Sequence, residues 1–248
     1  MTLFQSEIKY FLRSPLIWLI LSLTAFLSAW SFLLSIELFT TLQVKFAGMS
    51  DAPTITQGIL TPFISSQAKI LVFITSIIGG LSYARLSHNN GWSLLHLTQY
   101  SEFKIVWQKY SALIAVCFLF ILPALLAVVS LSIISGIQWL PVIAMSSGLV
   151  LLMLWMLALT MMLSSFFSNS GFAILLSLIV LMALLLITQS GLGAGWGKNY
   201  LQIISPFYQF FQFSKNTIPI ASIAYFVFGI TLFLFIVKVR ITHKRYVL

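Results

Sequence analysis

Few residues of this chain have side chains that could carry out chemistry: three histidines, four acidic residues and one cysteine among 248 residues. His88 and His96 share one polar stretch, but no cysteine or carboxylate cluster lies near them at the spacing of a zinc site. The few acidic residues offer no carboxylate pair for acid–base catalysis, and Cys117 has no second cysteine with which to form a disulfide. The sequence therefore predicts neither an enzyme nor a metal-binding protein.

One glycine-rich stretch, GWGKN at 195–199, faintly resembles the end of a phosphate-binding loop. Such a loop needs an earlier glycine and a hydroxyl residue directly after its lysine. This chain has Leu192 and Asn199 at those two positions. We therefore expect that the chain itself binds neither nucleotide nor any other cofactor.

The composition predicts an integral membrane protein. Hydrophobic residues make up 60% of the chain and charged residues 7%, with a mean hydropathy of +1.06. Soluble domains carry about 25% charged residues, so this chain lacks the residues that would solvate a surface. The net charge of +9 does not indicate nucleic-acid binding, because the basic residues lie at the ends of apolar runs.

Six apolar runs are long enough to be membrane-spanning helices. They lie at 16–36, 64–84, 112–134, 142–166, 172–188 and 220–237. A short turn from Gly136 to Pro141 separates the third from the fourth, and Ser168 to Gly171 forces the fourth and fifth into a tight antiparallel hairpin.

The distribution of basic residues predicts the orientation, because cytoplasmic loops carry an excess of Lys and Arg. An even number of spans puts both termini on one side. On that side lie Lys9, Arg13, Arg85, Lys104, Lys109, Lys238, Arg240, Lys244 and Arg245, and on the other lie Lys45, Lys69, Lys198 and Lys215. The termini are therefore expected to be cytoplasmic.

Residues 1–14 place apolar side chains at helical spacing with polar ones between them, which predicts an amphipathic helix in the membrane interface. Phe4, Ile8 and Phe11 are its apolar markers. Two interpretations stay open, a basic membrane anchor and a contact surface for a cytoplasmic partner.

A row of hydroxyl residues runs along the first predicted span. Its members are Thr24, Ser28, Ser31 and Ser35. Small hydroxyl residues are typical of helix packing in membranes, and the alternative is the lining of a pathway.

The segment 85–110 is a long polar interruption that also carries apolar side chains. Gly91 is followed by an apolar ridge of Trp92, Leu94, Leu95 and Leu97, and after Ser101 a second set follows at Phe103, Val106, Trp107 and Tyr110. Such a ridge can enter a groove on a soluble partner. A helix lying on lipid headgroups is the other interpretation.

The segment 189–218, expected on the external side, begins with glycines and then becomes rich in aromatic residues around Pro206. This pattern predicts an interfacial or re-entrant segment. Its aromatic residues would form a belt that fixes the depth of the segment in the membrane. Alternatively, they would form a gate or contact the cargo.

Three local patterns resemble a known family. They are the run from Glu7 to Phe11 with Ser14 to Leu16, the segment from Gly91 to Tyr110, and Ser164 to Ser168. With the order of the spans, they make the whole chain resemble the ABC-2 type permeases of ATP-binding cassette exporters. The likeness is greatest to the gliding-motility-associated and copper-enzyme-maturation groups.

This resemblance implies an all-α fold like that of type V exporters, in one permease domain over 1–248. Gly91 to Thr98 would be the coupling helix and Leu3 to Leu12 the connecting helix. The family's acidic pair and threonine before the coupling helix are absent from Leu86 to Trp92. The resemblance implies a location in the bacterial inner membrane.

The resemblance also implies partners and a function. A second permease, identical or related, and separate ATPase subunits holding ATP and Mg would join this chain, with lipid around it and no nucleic acid. The chain would couple ATP hydrolysis to export of an unidentified substrate. The alternative is a non-transporting scaffold that relays the ATPase's movement to an envelope partner.

Overall fold

A computed structural model describes residues 3–45, 54–88, 101–136, 139–189, 203–215 and 219–247. Within these ranges the chain is helical almost throughout and contains no strand. The helices are α1 (Leu3–Arg13), α2 (Pro15–Lys45), α3 (Thr61–His88), α4 (Glu102–Ser135), α5 (Trp139–Phe166), α6 (Ser170–Gln189), α7 (Pro206–Gln212) and α8 (Ile220–Val247), with a π-helical turn at Thr56–Leu60 and a 3₁₀ turn at Phe213–Lys215.

Within the described ranges, six helices are long and apolar enough to cross a membrane: α2, α3, α4, α5, α6 and α8. The protein is therefore a multi-pass membrane protein, as the six apolar runs predict. Six crossings by the described helices put α1 and the end of α8 on the same side. We call this side the termini side and the opposite one the far side.

Several helices are longer than the apolar runs that predict them. The first span continues to Lys45 and the last to Val247, while α5 begins at Trp139, inside the predicted turn. Hydropathy marks the part of a helix that meets hydrocarbon, whereas backbone hydrogen bonding continues into polar residues beyond it. Pro141 lies in the first turn of α5, where proline is tolerated, and Gly136 ends α4 in the left-handed region at φ 63°.

The segment predicted as a loop over 85–110 is likewise partly helical. Residues 85–88 belong to α3, and residues 102–110 form the first turns of α4. The part between, 89–100, lies outside the described residues. The segment 189–218 contains α7 and its 3₁₀ turn, and its residues 190–202 and 216–218 are also outside the described ranges.

The core is built around α3 and α5, which pack closely because glycines remove side chains from their contact. A Cβ at Gly79 would lie 1.9 Å from Thr160 Oγ1 of α5, and one at Gly80 would lie 2.9 Å from the Ile174 Cα of α6. Small residues allow this approach between helices in a membrane, where close packing is a main source of association.

Hydrogen bonds reinforce the core. The Ser164 hydroxyl of α5 donates to the Gly80 carbonyl at 2.8 Å and accepts from the Tyr83 amide at 3.0 Å. The Tyr110 hydroxyl of α4 donates to the Leu154 carbonyl of α5 at 2.9 Å. These bonds fix α3 and α4 to the same central helix near the termini side.

The outer helices α2, α6 and α8 bury little of their surface within the chain. Their large apolar side chains are exposed on the surface of the protein, as lipid contact requires. On α2 these include Leu16, Trp18, Leu19, Leu23, Phe26, Trp30 and Leu33.

Candidate functional site

The most prominent polar feature of the described residues is an ion pair between α1 and α4. Lys109 Nζ lies 3.1 Å from Glu7 Oε1. The Lys109 side chain is 2% exposed and the Glu7 side chain 14%. A buried charge is costly to desolvate, so each partner depends on the other for its stability in this position.

Lys109 also contacts the end of α3. Its ammonium group donates to the Ser82 carbonyl at 2.8 Å and lies 4.6 Å from the centre of the Tyr83 ring. A carbonyl oxygen, an aromatic face and a carboxylate together replace the water that this ammonium group loses. We call Glu7, Ser82, Tyr83 and Lys109 the lysine cluster, and it joins α1, α3 and α4.

The helix α1 turns one side toward the protein. Phe11 is buried, and Phe4 and Ile8 are partly buried on the same side as Glu7. The opposite side exposes Gln5, Ser6, Lys9, Tyr10 and Arg13. Phe4, Ile8 and Phe11 therefore lie on the side that packs against the body of the protein.

The junction of α1 with α2 is also defined. The chain leaves α1 at Ser14, and the Trp18 indole donates to the Leu12 carbonyl at 2.7 Å. This bond holds the start of α2 against the end of α1. The direction of α1 is thus set at its C-terminal end by Trp18 and at Glu7 by the ion pair.

The lysine cluster lies at the base of the segment 89–100. Ser82 and Tyr83 are close to the C-terminal end of α3, and Lys109 is about two turns into α4. The cluster thus joins the two helices that flank 89–100 to each other and to α1. The proposed coupling residues Gly91, Trp92, Leu94, Leu95, Leu97 and Thr98 all lie outside the described residues.

The predicted apolar set at the start of α4 is divided by the structure. Val106 and Tyr110 are buried, whereas Phe103 and Trp107 are exposed and stack at 6.4 Å between ring centroids. All four residues lie on one side of α4, but the rest of the protein covers only part of that side. Ser101 stands at the N-cap, as its type predicts, although its side chain makes no capping hydrogen bond.

The hydroxyl row of α2 faces α3. The Ser28 hydroxyl donates to Gln67 Oε1 at 2.9 Å, and Gln67 Nε2 donates to Ser31 Oγ at 3.1 Å. Thr24 and Ser35 are also buried, and each hydroxyl donates to a carbonyl of its own helix. These are the contacts of helix packing, with Gln67 as the partner that the row alone did not reveal.

The aromatic segment on the far side packs into the protein. Phe207, Phe210 and Phe213 are buried, and Phe213 lies against Gly148 of α5, where a Cβ would come within 2.8 Å of its ring. Gln209 donates to the Ile203 carbonyl at 2.9 Å and accepts from the Ser222 hydroxyl at 2.8 Å. The segment is thus fixed between α5 and α8.

The described residues contain no group of three or more His, Cys, Asp or Glu side chains placed to hold a metal ion. No protein-family model matches the chain, and no curated protein matches it. The site is therefore interpreted from its own geometry.

The sequence alone does not identify Glu7 and Lys109 as a pair, although it carries one sign that Lys109 needs a partner. In α4, Lys109 occupies the same face as the buried Ile105, Val106 and Leu113. A lysine at a buried position of a helix needs a partner, and Glu7 is one of only four acidic residues in the chain.

Proposed function

We propose that this chain is the membrane-spanning permease subunit of an ATP-binding cassette exporter of the ABC-2 type. ATPase subunits on separate chains would supply the energy, with ATP and Mg bound there. The observation that carries the proposal is the lysine cluster, which connects the two helices flanking 89–100 to α1.

The mechanism follows from these connections. A motor that moves the coupling helix at Gly91 to Thr98 pushes on the ends of α3 and α4. Because Lys109 binds both the Ser82 carbonyl and Glu7, α1 moves with them. Rigid helices packed through glycine contacts then pass the displacement across the membrane, as in other switches between packed elements.

The proposal includes an orientation and an assembly. The termini side faces the cytoplasm of a bacterium, and α1 is an amphipathic connecting helix in the membrane interface. Two permeases, identical or related, associate with two ATPases in a type V arrangement. The substrate is exported along a path that the two permeases form together.

The test is ATP hydrolysis by the complex purified from its native host through a tag on this chain. We expect vanadate-sensitive ATPase activity to co-purify with the natural sequence. Trp92→Asp with Leu95→Asp should abolish it, since charges replace the apolar ridge. Asn89→Asp with Asn90→Asp is the matched control, because it adds the same charge to the same segment at polar positions. Full activity in the Trp92 and Leu95 variant would overturn the proposal.

A non-transporting scaffold driven by the same ATPase is the second candidate, and one observation favours it. Two cavities that α7 and its 3₁₀ turn form with the spanning helices hold about 10 Å³ each. That is room for about one water molecule. Neither cavity could therefore hold a substrate within a single copy of the chain. ATP-dependent movement of a fluorescent phospholipid in vesicles containing the purified complex would favour the exporter over the scaffold.

A further inference from the structure

The exposed side of α1 forms one wall of an open cleft of about 650 Å³. The described residues that line it are Ser6, Lys9, Tyr10, Arg13 and Ser14. Lys9 and Arg13 are one helical turn apart and both exposed, so their cationic groups face the same opening.

The described lining of this cleft is positively charged, because the acidic residue of α1 lies on the other side of the helix. Glu7 is the acidic residue of α1, and it is turned to the opposite side, where it binds Lys109. Among the described side chains that line the cleft, Lys9 and Arg13 carry positive charges and none carries a negative one.

The cleft lies where the chain enters the membrane. Its last residue, Ser14, directly precedes α2, and α2 exposes large apolar side chains from its first turn onward. Trp18 is 55% exposed there, and its indole donates to the Leu12 carbonyl at the end of α1. Tryptophans near the end of a spanning helix are enriched at the level of lipid headgroups. A cationic cleft and an apolar surface thus meet at this level.

We propose that the Lys9–Arg13 cleft binds the phosphate headgroup of an anionic phospholipid, whose acyl chains lie on α2. The Arg13 guanidinium offers paired hydrogen-bond donors to the phosphate oxygens, and the Lys9 ammonium group adds a compact positive charge. A soluble phosphate would gain nothing from the apolar side chains of α2. An acidic surface on another protein could reach the two cations only by inserting between the cleft and the membrane. The inference concerns the chain alone and does not depend on an ATPase.

The test is native mass spectrometry of the purified chain in detergent, titrated with dioleoyl phosphatidylglycerol or with dioleoyl phosphatidylcholine. We expect tighter binding of the anionic lipid. Lys9→Gln with Arg13→Gln should weaken it on the order of thirtyfold, because each cation near a headgroup contributes about 1 kcal/mol. The zwitterionic lipid, whose choline offsets the charge of its phosphate, should lose much less affinity than the anionic lipid.

Two further variants make the result specific. Lys45→Gln with Lys69→Gln removes the same charge from exposed positions on the far side and should leave binding unchanged. Lys9→Arg with Arg13→Lys keeps both charges and should retain the preference. Equal losses in the two Gln pairs, no loss in the cleft pair, or displacement of the lipid by millimolar inorganic phosphate would each overturn the proposal.

Discussion

Glu7 and Lys109 are 102 positions apart in the chain, and their charged atoms lie 3.1 Å from each other in the fold. The pair fixes α1 to the membrane-spanning body at a place where the Lys109 side chain is almost wholly buried. Because Glu7 is the more exposed partner, the two residues should not respond equally to substitution. This asymmetry gives the first prediction.

Glu7→Gln should lower the free energy of unfolding by about 3 kcal/mol, since it removes the carboxylate charge that lies 3.1 Å from the buried ammonium group of Lys109. Lys109→Met should cost less, because Glu7 keeps some access to water. The double variant should lose less than the sum of the two. Unfolding of the purified chain in mixed micelles with increasing SDS measures all three. Additive losses would show that the two charges do not interact.

Ser164→Ala should be destabilising by about 1 to 2 kcal/mol, since it removes the hydroxyl between Gly80 and Tyr83. Ser165→Ala is the matched control. Ser165 is equally buried, but its hydroxyl donates to Met162 of its own helix at 2.7 Å. The same SDS titration should separate the two variants clearly. Similar losses would contradict a role for Ser164 in joining α3 to α5.

Gly80→Ala should be among the most damaging small substitutions, because the added methyl group meets the Ile174 backbone at 2.9 Å. Backbone atoms cannot rotate away, so α3 and α6 must separate, at about 2 kcal/mol or more. Gly171→Ala meets one atom, the Asn169 Oδ1, at 3.4 Å and should be tolerated. Thermal unfolding of the two variants in detergent checks the difference. A normal midpoint for Gly80→Ala would contradict this packing.

The hydroxyl row should be inaccessible to water if its contacts are those of packing. In a Cys117→Ala background, Ser28→Cys and Ser35→Cys should resist a membrane-impermeant maleimide. Gln43→Cys, which is exposed near the far-side end of α2, should react. Labelling of Ser28→Cys from either side would instead support a pathway along this row.

The proposed orientation can be tested in the same cysteine-free background. Asn90→Cys should react with the maleimide in inside-out vesicles and not in intact cells. Gln57→Cys, exposed beside α3 on the far side, should show the opposite pattern. Reaction of Asn90→Cys from outside the cell would reverse the orientation and remove the ATPase from the proposed function.

Much of the fold could be predicted from the sequence because lipid imposes a simple rule on composition. Each spanning helix needs an apolar run of sufficient length, so the six spans appear in the hydropathy. Their ends were less accurate, as α2 and α8 show, because polar residues continue a helix beyond the membrane without an apolar signal. The hydroxyl row from Thr24 to Ser35 could be recognised from its spacing in the sequence, but its hydrogen-bond partner Gln67 could not.

By itself, the sequence determined that this is a helical membrane protein, since apolar length and a scarcity of charge depend on composition and local order. Only the tertiary structure decided which helices form the centre, that Glu7 turns inward to Lys109, and that Lys9 and Arg13 are left facing outward. The physical reason is that an ion pair between distant residues depends on helix packing. The local sequence around a residue does not show which distant residue it will contact once the helices have packed.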